Sequence, residues 1–216
     1  AAVLFADVSG STKLYETAGD QVAKAAIDQC ISIMRKCTDA AKGRGIKTIG
    51  DEVMSTFPTA DAAADAAIEM QSAISELKPR GNSESGIRIG FNYGPSGVQA
   101  DGDIFGDAVN VASRLSHVAV KGQIITARDT VMLMSPMLKS ATRKITNIQI
   151  KGKAAEVEVY ELMWQQSEDA TTMAAARSIY KPKKTTLRLV LQGKEHLLTD
   201  ELTAVSMGRD ATAELV

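Results

Sequence analysis

Two short segments each carry a carboxylate where an apolar run meets a turn: Phe5-Ala6-Asp7-Val8 and Lys47-Thr48-Ile49-Gly50-Asp51. If the two runs pair as strands, Asp7 and Asp51 converge on one hard-cation site of the kind that handles phosphates. A lone Asp at a turn usually only caps backbone N–H groups. Here the first Asp is followed by Ser9-Gly10-Ser11-Thr12, which reads as a tight turn into a helix. Backbone N–H groups at Gly10, Ser11 and Thr12 can hold phosphate oxygens while the two carboxylates hold Mg²⁺.

A second group lies further along. Asn110 and Arg114 are one helical turn apart and project from one face, while Ala108, Val111, Ala112 and Leu115 take core spacing on the other. Such a polar pair is most often a solvated face, but Arg offers a forked donor suited to phosphate and Asn can orient a ribose. Lys153 could bring point charge to terminal phosphates; alone it is an ordinary surface lysine. Cys30 and Cys37, two helical turns apart, read as buried free thiols and not as nucleophiles. His117 and His196 have no metal-ligand spacing and read as structural or exposed.

The elements that must position these groups follow from period and punctuation. Val3 to Val8 reads as a buried strand, and Asp20 to Lys42 as a helix capped by Asp20 and stopped by Gly43. Ile46–Ile49 and Val53–Phe57 flank Gly50-Asp51-Glu52 as a hairpin. Ala60 to Leu77 reads as a second helix, Ile87 to Tyr93 as a half-buried alternating strand, and Gly94 to Gly102 as a glycine-rich loop. A helix from Gly106 to Val118 and strands over 123–127, 145–150 and 157–162 complete the series. The order β-α-β-β-α-β, with an extra C-terminal helix and strands, describes an α+β, ferredoxin-like sandwich.

Residues 1–164 form this domain in our reading, 165–185 a linker, and 186–216 the first strands of a second β domain. Hydrophobic content of 44% and charged content of 24% fit a globular chain. A net charge of −1 gives no general attraction to nucleic acid or anionic lipid. No apolar run approaches the length of a spanning helix and no signal-peptide pattern opens the chain, so a cytoplasmic setting without membrane contact is expected. With no Met in front of Ala1, the sequence reads as a piece of a longer protein.

Taken with Asp103-Ile104-Phe105-Gly106-Asp107-Ala108-Val109-Asn110-Val111-Ala112-Ser113-Arg114 and Ile150-Lys151-Gly152-Lys153, the two aspartate segments resemble the signatures of class III nucleotidyl cyclase catalytic domains. The resemblance covers roughly residues 1–163. It implies that Asp7 and Asp51, helped by the carbonyl of Val8, bind two divalent metals, Mg²⁺ or Mn²⁺. It further implies that Lys47 and Asp103 read the purine, Asn110 orients the ribose, Arg114 stabilises the transition state and Lys153 holds the β- and γ-phosphates. The family builds two composite sites per homodimer, with the aspartates of one subunit facing Asn110 and Arg114 of the other.

Base chemistry agrees with that assignment. Adenine presents an amine donor to Asp103 and a ring-nitrogen acceptor to Lys47; guanine reverses both, leaving buried polar groups unpaired at about 1–3 kcal/mol each. Guanylate-forming relatives carry an acidic residue and a small or thiol residue at these places. The expected substrate is therefore ATP and the product cyclic AMP. A nucleotide-binding module without turnover would normally lack one of these groups, and a diguanylate cyclase would need a glycine at Ile49 and a Phe at Val53. Near the C-terminus Gly208-Arg209-Asp210 resembles the opening of a forkhead-associated (FHA) domain, which would bring a phosphoprotein partner only in a longer parent.

Overall fold

The computed structural model describes residues 1–77, 86–99, 102–150 and 156–165, and the backbone of Leu187–Leu191 and Lys194–Leu198. By its internal contacts the chain divides into Ala1–Ala170 and Thr171–Val216. The first unit begins with β1 (Ala2–Val8), α1 (Ser11–Ala18), α2 (Asp20–Ala40), β2 (Arg44–Ile49), β3 (Glu52–Phe57), α3 (Ala60–Ser75) and β4 (Ile87–Tyr93). It continues with β5 (Gly97–Val98), β6 (Ile104–Phe105), α4 (Asp107–Val118), β7 (Ile124–Ala127), α5 (Arg128–Met132), α6 (Pro136–Ser140), β8 (Thr142–Ile148) and β9 (Val157–Leu162). Of the second unit, β10 (Leu187–Leu191) and β11 (Lys194–Leu198) form an antiparallel pair.

The seven-stranded sheet runs β2-β3-β1-β4-β7-β9-β8. Its first four strands are antiparallel neighbours, and with the helices between them they are the expected ferredoxin-like sandwich. β7 joins β4 in parallel, and β9 and β8 follow antiparallel. Alternation along β1 sorts its side chains: Ala2, Leu4, Ala6 and Val8 enter the core under α2 and α3, while Val3 and Phe5 enter a second cluster with Ala108 and Ala112 of α4. The sheet is thus covered on both faces, and β4 is buried at most positions instead of half-buried as its alternation suggests.

Several boundaries differ from expectation for local reasons. Gly19, not Asp20, caps α2, and Asp20 lies in the first turn, where its charge favours the helix dipole. α2 ends at Ala40, and the residue with positive φ is Lys42 (57°), not Gly43; a Cβ at Gly43 would sit 2.4 Å from the Phe57 ring, so close approach is what requires that glycine. β8 lies at Thr142–Ile148, earlier than 145–150, because it pairs with β9 through an irregularity near Lys144. Cys30 and Cys37 are buried free thiols, as expected. Among the described residues no helix is long and apolar enough to cross a membrane. Gly208-Arg209-Asp210 and residues 166–185 lie outside the described residues.

Candidate active site

Asp7 continues the Val3–Phe5 side of β1, the side covered by α4. Antiparallel register sets Glu52 of β3 directly beside it on one flank and Arg88 of β4 on the other. Arg88 closes on Asp7: its Nε donates to Oδ2 at 2.6 Å, and Nη2 stands 2.6 Å from the same oxygen as an ion pair. Burial pushes the Asp7 carboxyl up, the Arg88 hydrogen bond opposes this, and the nearby charge of Asp51 adds to the rise. Glu52 is raised by burial and then by Asp7, and its Oε1 accepts from Ser116 Oγ of α4 at 3.4 Å. His117, at the exposed end of α4, lies within electrostatic reach of both carboxylates.

The second aspartate stands in the tight turn between β2 and β3. Gly50 there has φ 63°, in the left-handed region that favours glycine, and so delivers Asp51 back toward β1. The Val8 N–H donates to the Asp51 carbonyl at 3.3 Å, which brings the two aspartate segments together. Next to them the chain leaves β1 through Ser9 and through Gly10 (φ 78°), which caps α1 without a side-chain hydrogen bond. The N–H groups of Ser11 and Thr12 fall in the first helical turn, where no intrahelical acceptor exists. Ser9 Oγ is buried with no hydrogen-bond partner.

These features suit a divalent cation. Two carboxylates brought together repel each other unless a cation joins them, and oxygen donors are the ligands Mg²⁺ and Mn²⁺ prefer. The orphaned Ser9 hydroxyl and the free N–H groups that open α1 leave unused polar capacity beside the two aspartate segments.

Lys47 and Asp103, the two residues that the resemblance assigns to the purine, are in contact. Lys47 Nζ donates to Asp103 Oδ2 at 2.5 Å, and Asp103 Oδ1 accepts from the Ile104 N–H at 2.8 Å. The Lys47 hydrogen bond holds the Asp103 carboxyl below its usual range. Asn110 and Arg114 sit on α4 as expected, both exposed, with Ala108, Val111, Ala112 and Leu115 buried behind them. Neither forms a hydrogen bond or ion pair with Asp7 or Asp51 of the same chain. Lys153 lies outside the described residues.

Sequence reasoning missed Arg88 and Glu52. Arg88 stands at the polar position between Ile87 and Ile89, a signal that marks it as different but does not say that β4 would align it with a residue 81 positions earlier.

The chain matches the family described as the adenylate and guanylate cyclase catalytic domain over residues 1–164. It is 27% identical over 180 residues to an adenylate cyclase of Anabaena cylindrica, covering 74% of this chain and 36% of that protein. It is 35% identical over 138 residues to an adenylate cyclase of Mycobacterium tuberculosis, covering 57% and 31%. The chain therefore spans about a third of the length of these relatives. Among solved structures, an adenylate/guanylate cyclase/hydrolase from Silicibacter pomeroyi superposes with a TM-score of 0.66 at 30% identity, covering 75% of this chain and 95% of the other.

Proposed function

The chain belongs to the adenylate and guanylate cyclase catalytic domain family, and from that premise we propose that it converts ATP to 3′,5′-cyclic AMP and pyrophosphate. The choice of ATP is carried by the Lys47–Asp103 pair: one donor and one acceptor, held side by side, match the ring nitrogen and amine of adenine. Guanine would set its carbonyl against Asp103 and its ring N–H against Lys47.

Asp7, Asp51 and the carbonyl of Val8 would hold two divalent cations, which when bound would supply acidification of the ribose 3′-hydroxyl and positive charge against the triphosphate. The backbone of Gly10, Ser11 and Thr12 receives phosphate oxygens, and Lys153 holds the outer phosphates. Asn110 orients the ribose so that its 3′-oxygen faces the α-phosphorus in line with the leaving pyrophosphate. The new O–P bond forms as the α–β bridging bond breaks, and the hydroxyl proton passes to water. Arg114 offsets the charge that grows on the α-phosphoryl oxygens.

Asn110 and Arg114 stand exposed and apart from the aspartates, which supports a homodimer with two composite sites, each drawing Asp7 and Asp51 from one copy and Asn110 and Arg114 from the other. We read residues 165–185 as the link to a second β domain that begins near 186.

Purified chain, incubated with Mn²⁺ or Mg²⁺ and either ATP or GTP, tests this directly by chromatography of the products. Cyclic AMP is expected, with kcat/KM for GTP lower by about 100-fold. A demonstrated dimer that yields no cyclic AMP overturns the reading.

A further inference from the structure

Among the described residues, Arg88 is the side chain that hydrogen-bonds the Asp7 carboxylate. Both Nε and Nη2 converge on the same oxygen, Oδ2, each at 2.6 Å. The hydrogen bond goes to Oδ2 and not to Oδ1. The side chains are largely shielded, with relative exposures of 33% for Arg88 and 13% for Asp7, so the contact is less screened than a surface ion pair.

We propose that Arg88 is a latch on Asp7: it leaves Oδ1 open to a first divalent cation but must release Oδ2 before a second can share the carboxylate. This rests on the cyclase reading, in which Asp7 serves two cations. A guanidinium held 2.6 Å from Oδ2 and a metal ion on the same oxygen would set two positive charges side by side, so each disfavours the other. Arg88 is therefore a positioning residue. It keeps Asp7 aimed across the sheet while the site is empty of metal, and its departure is coupled to loading. Glu52 lies on the other flank of Asp7 and Asp51 lies close by, so Arg88 also offsets three carboxylates crowded at one end of the sheet.

The test needs no nucleotide and no turnover. In the ¹⁵N-labelled chain the Arg88 Nε–H should give a protected, shifted side-chain resonance, assigned by its loss in Arg88→Lys. Titration with Mg²⁺ should move or broaden it. In parallel, the free Mn²⁺ signal in electron paramagnetic resonance should show Arg88→Gln binding Mn²⁺ about tenfold more tightly than the parent. Arg88→Lys, which keeps the charge but not the guanidinium's seat on Oδ2, should recover only part of that gain. Circular dichroism confirms that the variants fold.

If Mg²⁺ displaces Mn²⁺ from the parent while the Arg88 resonance stays put, or if Arg88→Gln binds Mn²⁺ no more tightly, the latch is overturned. Cyclic AMP production by the parent keeps that failure separate from the reading beneath it. A chain that latches but makes no cyclic nucleotide fails the cyclase reading alone.

Discussion

Lys47 and Asp103 are 56 residues apart in the chain, yet they form a contact of 2.5 Å at the surface between β2 and β6. In the reading we propose, adenine would meet a donor and an acceptor that already stand side by side. Replacing both, with Lys47→Glu and Asp103→Cys, inverts the pattern. The ratio of kcat/KM for ATP to that for GTP should fall by about 100-fold or more, read from initial rates with each nucleotide. Glu52 makes a different prediction. Burial and the charge of Asp7 raise its carboxyl in the folded chain. A carboxyl raised by folding favours the folded state at low pH and loses that favour as the pH climbs through its folded value. Glu52→Gln keeps an acceptor for Ser116 and removes the charge. It should melt about 1–3 °C higher than the parent at pH 7, and the gap should close as the pH falls to about 4.

At the scale of elements, α4 carries the two exposed site residues, and its seat on the sheet decides where they point. That seat depends on Gly90 of β4: a Cβ there would stand 2.0 Å from the backbone nitrogen of Ser116. Backbone cannot swing aside as a side chain can, so Gly90→Ala must lift the helix or bend the strand. A loss of about 2–4 kcal/mol in urea unfolding is expected, together with a fall in turnover larger than any change in KM. The buried face of α4 was legible in its sequence because Ala108, Val111, Ala112 and Leu115 repeat at helical spacing over twelve residues. The β2–β3 hairpin was legible from Gly50-Asp51 between alternating runs. By contrast, α5 and α6 have five residues each and β5 and β6 two each, too few for any period to show. The site divides in the same way. Residues carried within motifs could be named in advance, whereas the Arg88–Asp7 and Glu52–Asp7 pairs arise from strand register, which no local pattern encodes.

One copy of the chain does not complete its own site in the arrangement we propose. Asp7, Asp51 and the α1 N-terminus gather at one place, while Asn110 and Arg114 are exposed on α4 and form no hydrogen bond or ion pair with either aspartate. If a second copy supplies the missing half, two kinds of damage should complement each other. Asp51→Asn removes a carboxylate from the cation half, and Arg114→Ala removes the guanidinium from the other. Each variant alone has both sites of its dimer broken, and turnover should drop by about 10²-fold or more. When the two are mixed in equal amounts and allowed to exchange subunits, half of the dimers pair one variant with the other. In each of these one site carries both lesions and the other carries none. Activity should rise to about a quarter of the parent's, since half the dimers have one intact site of two. Turnover should also fall on dilution as dimers separate, with a midpoint that follows the dimer population measured by sedimentation. Two variants that stay inactive when mixed, despite proven exchange, would place all the catalytic groups within a single chain.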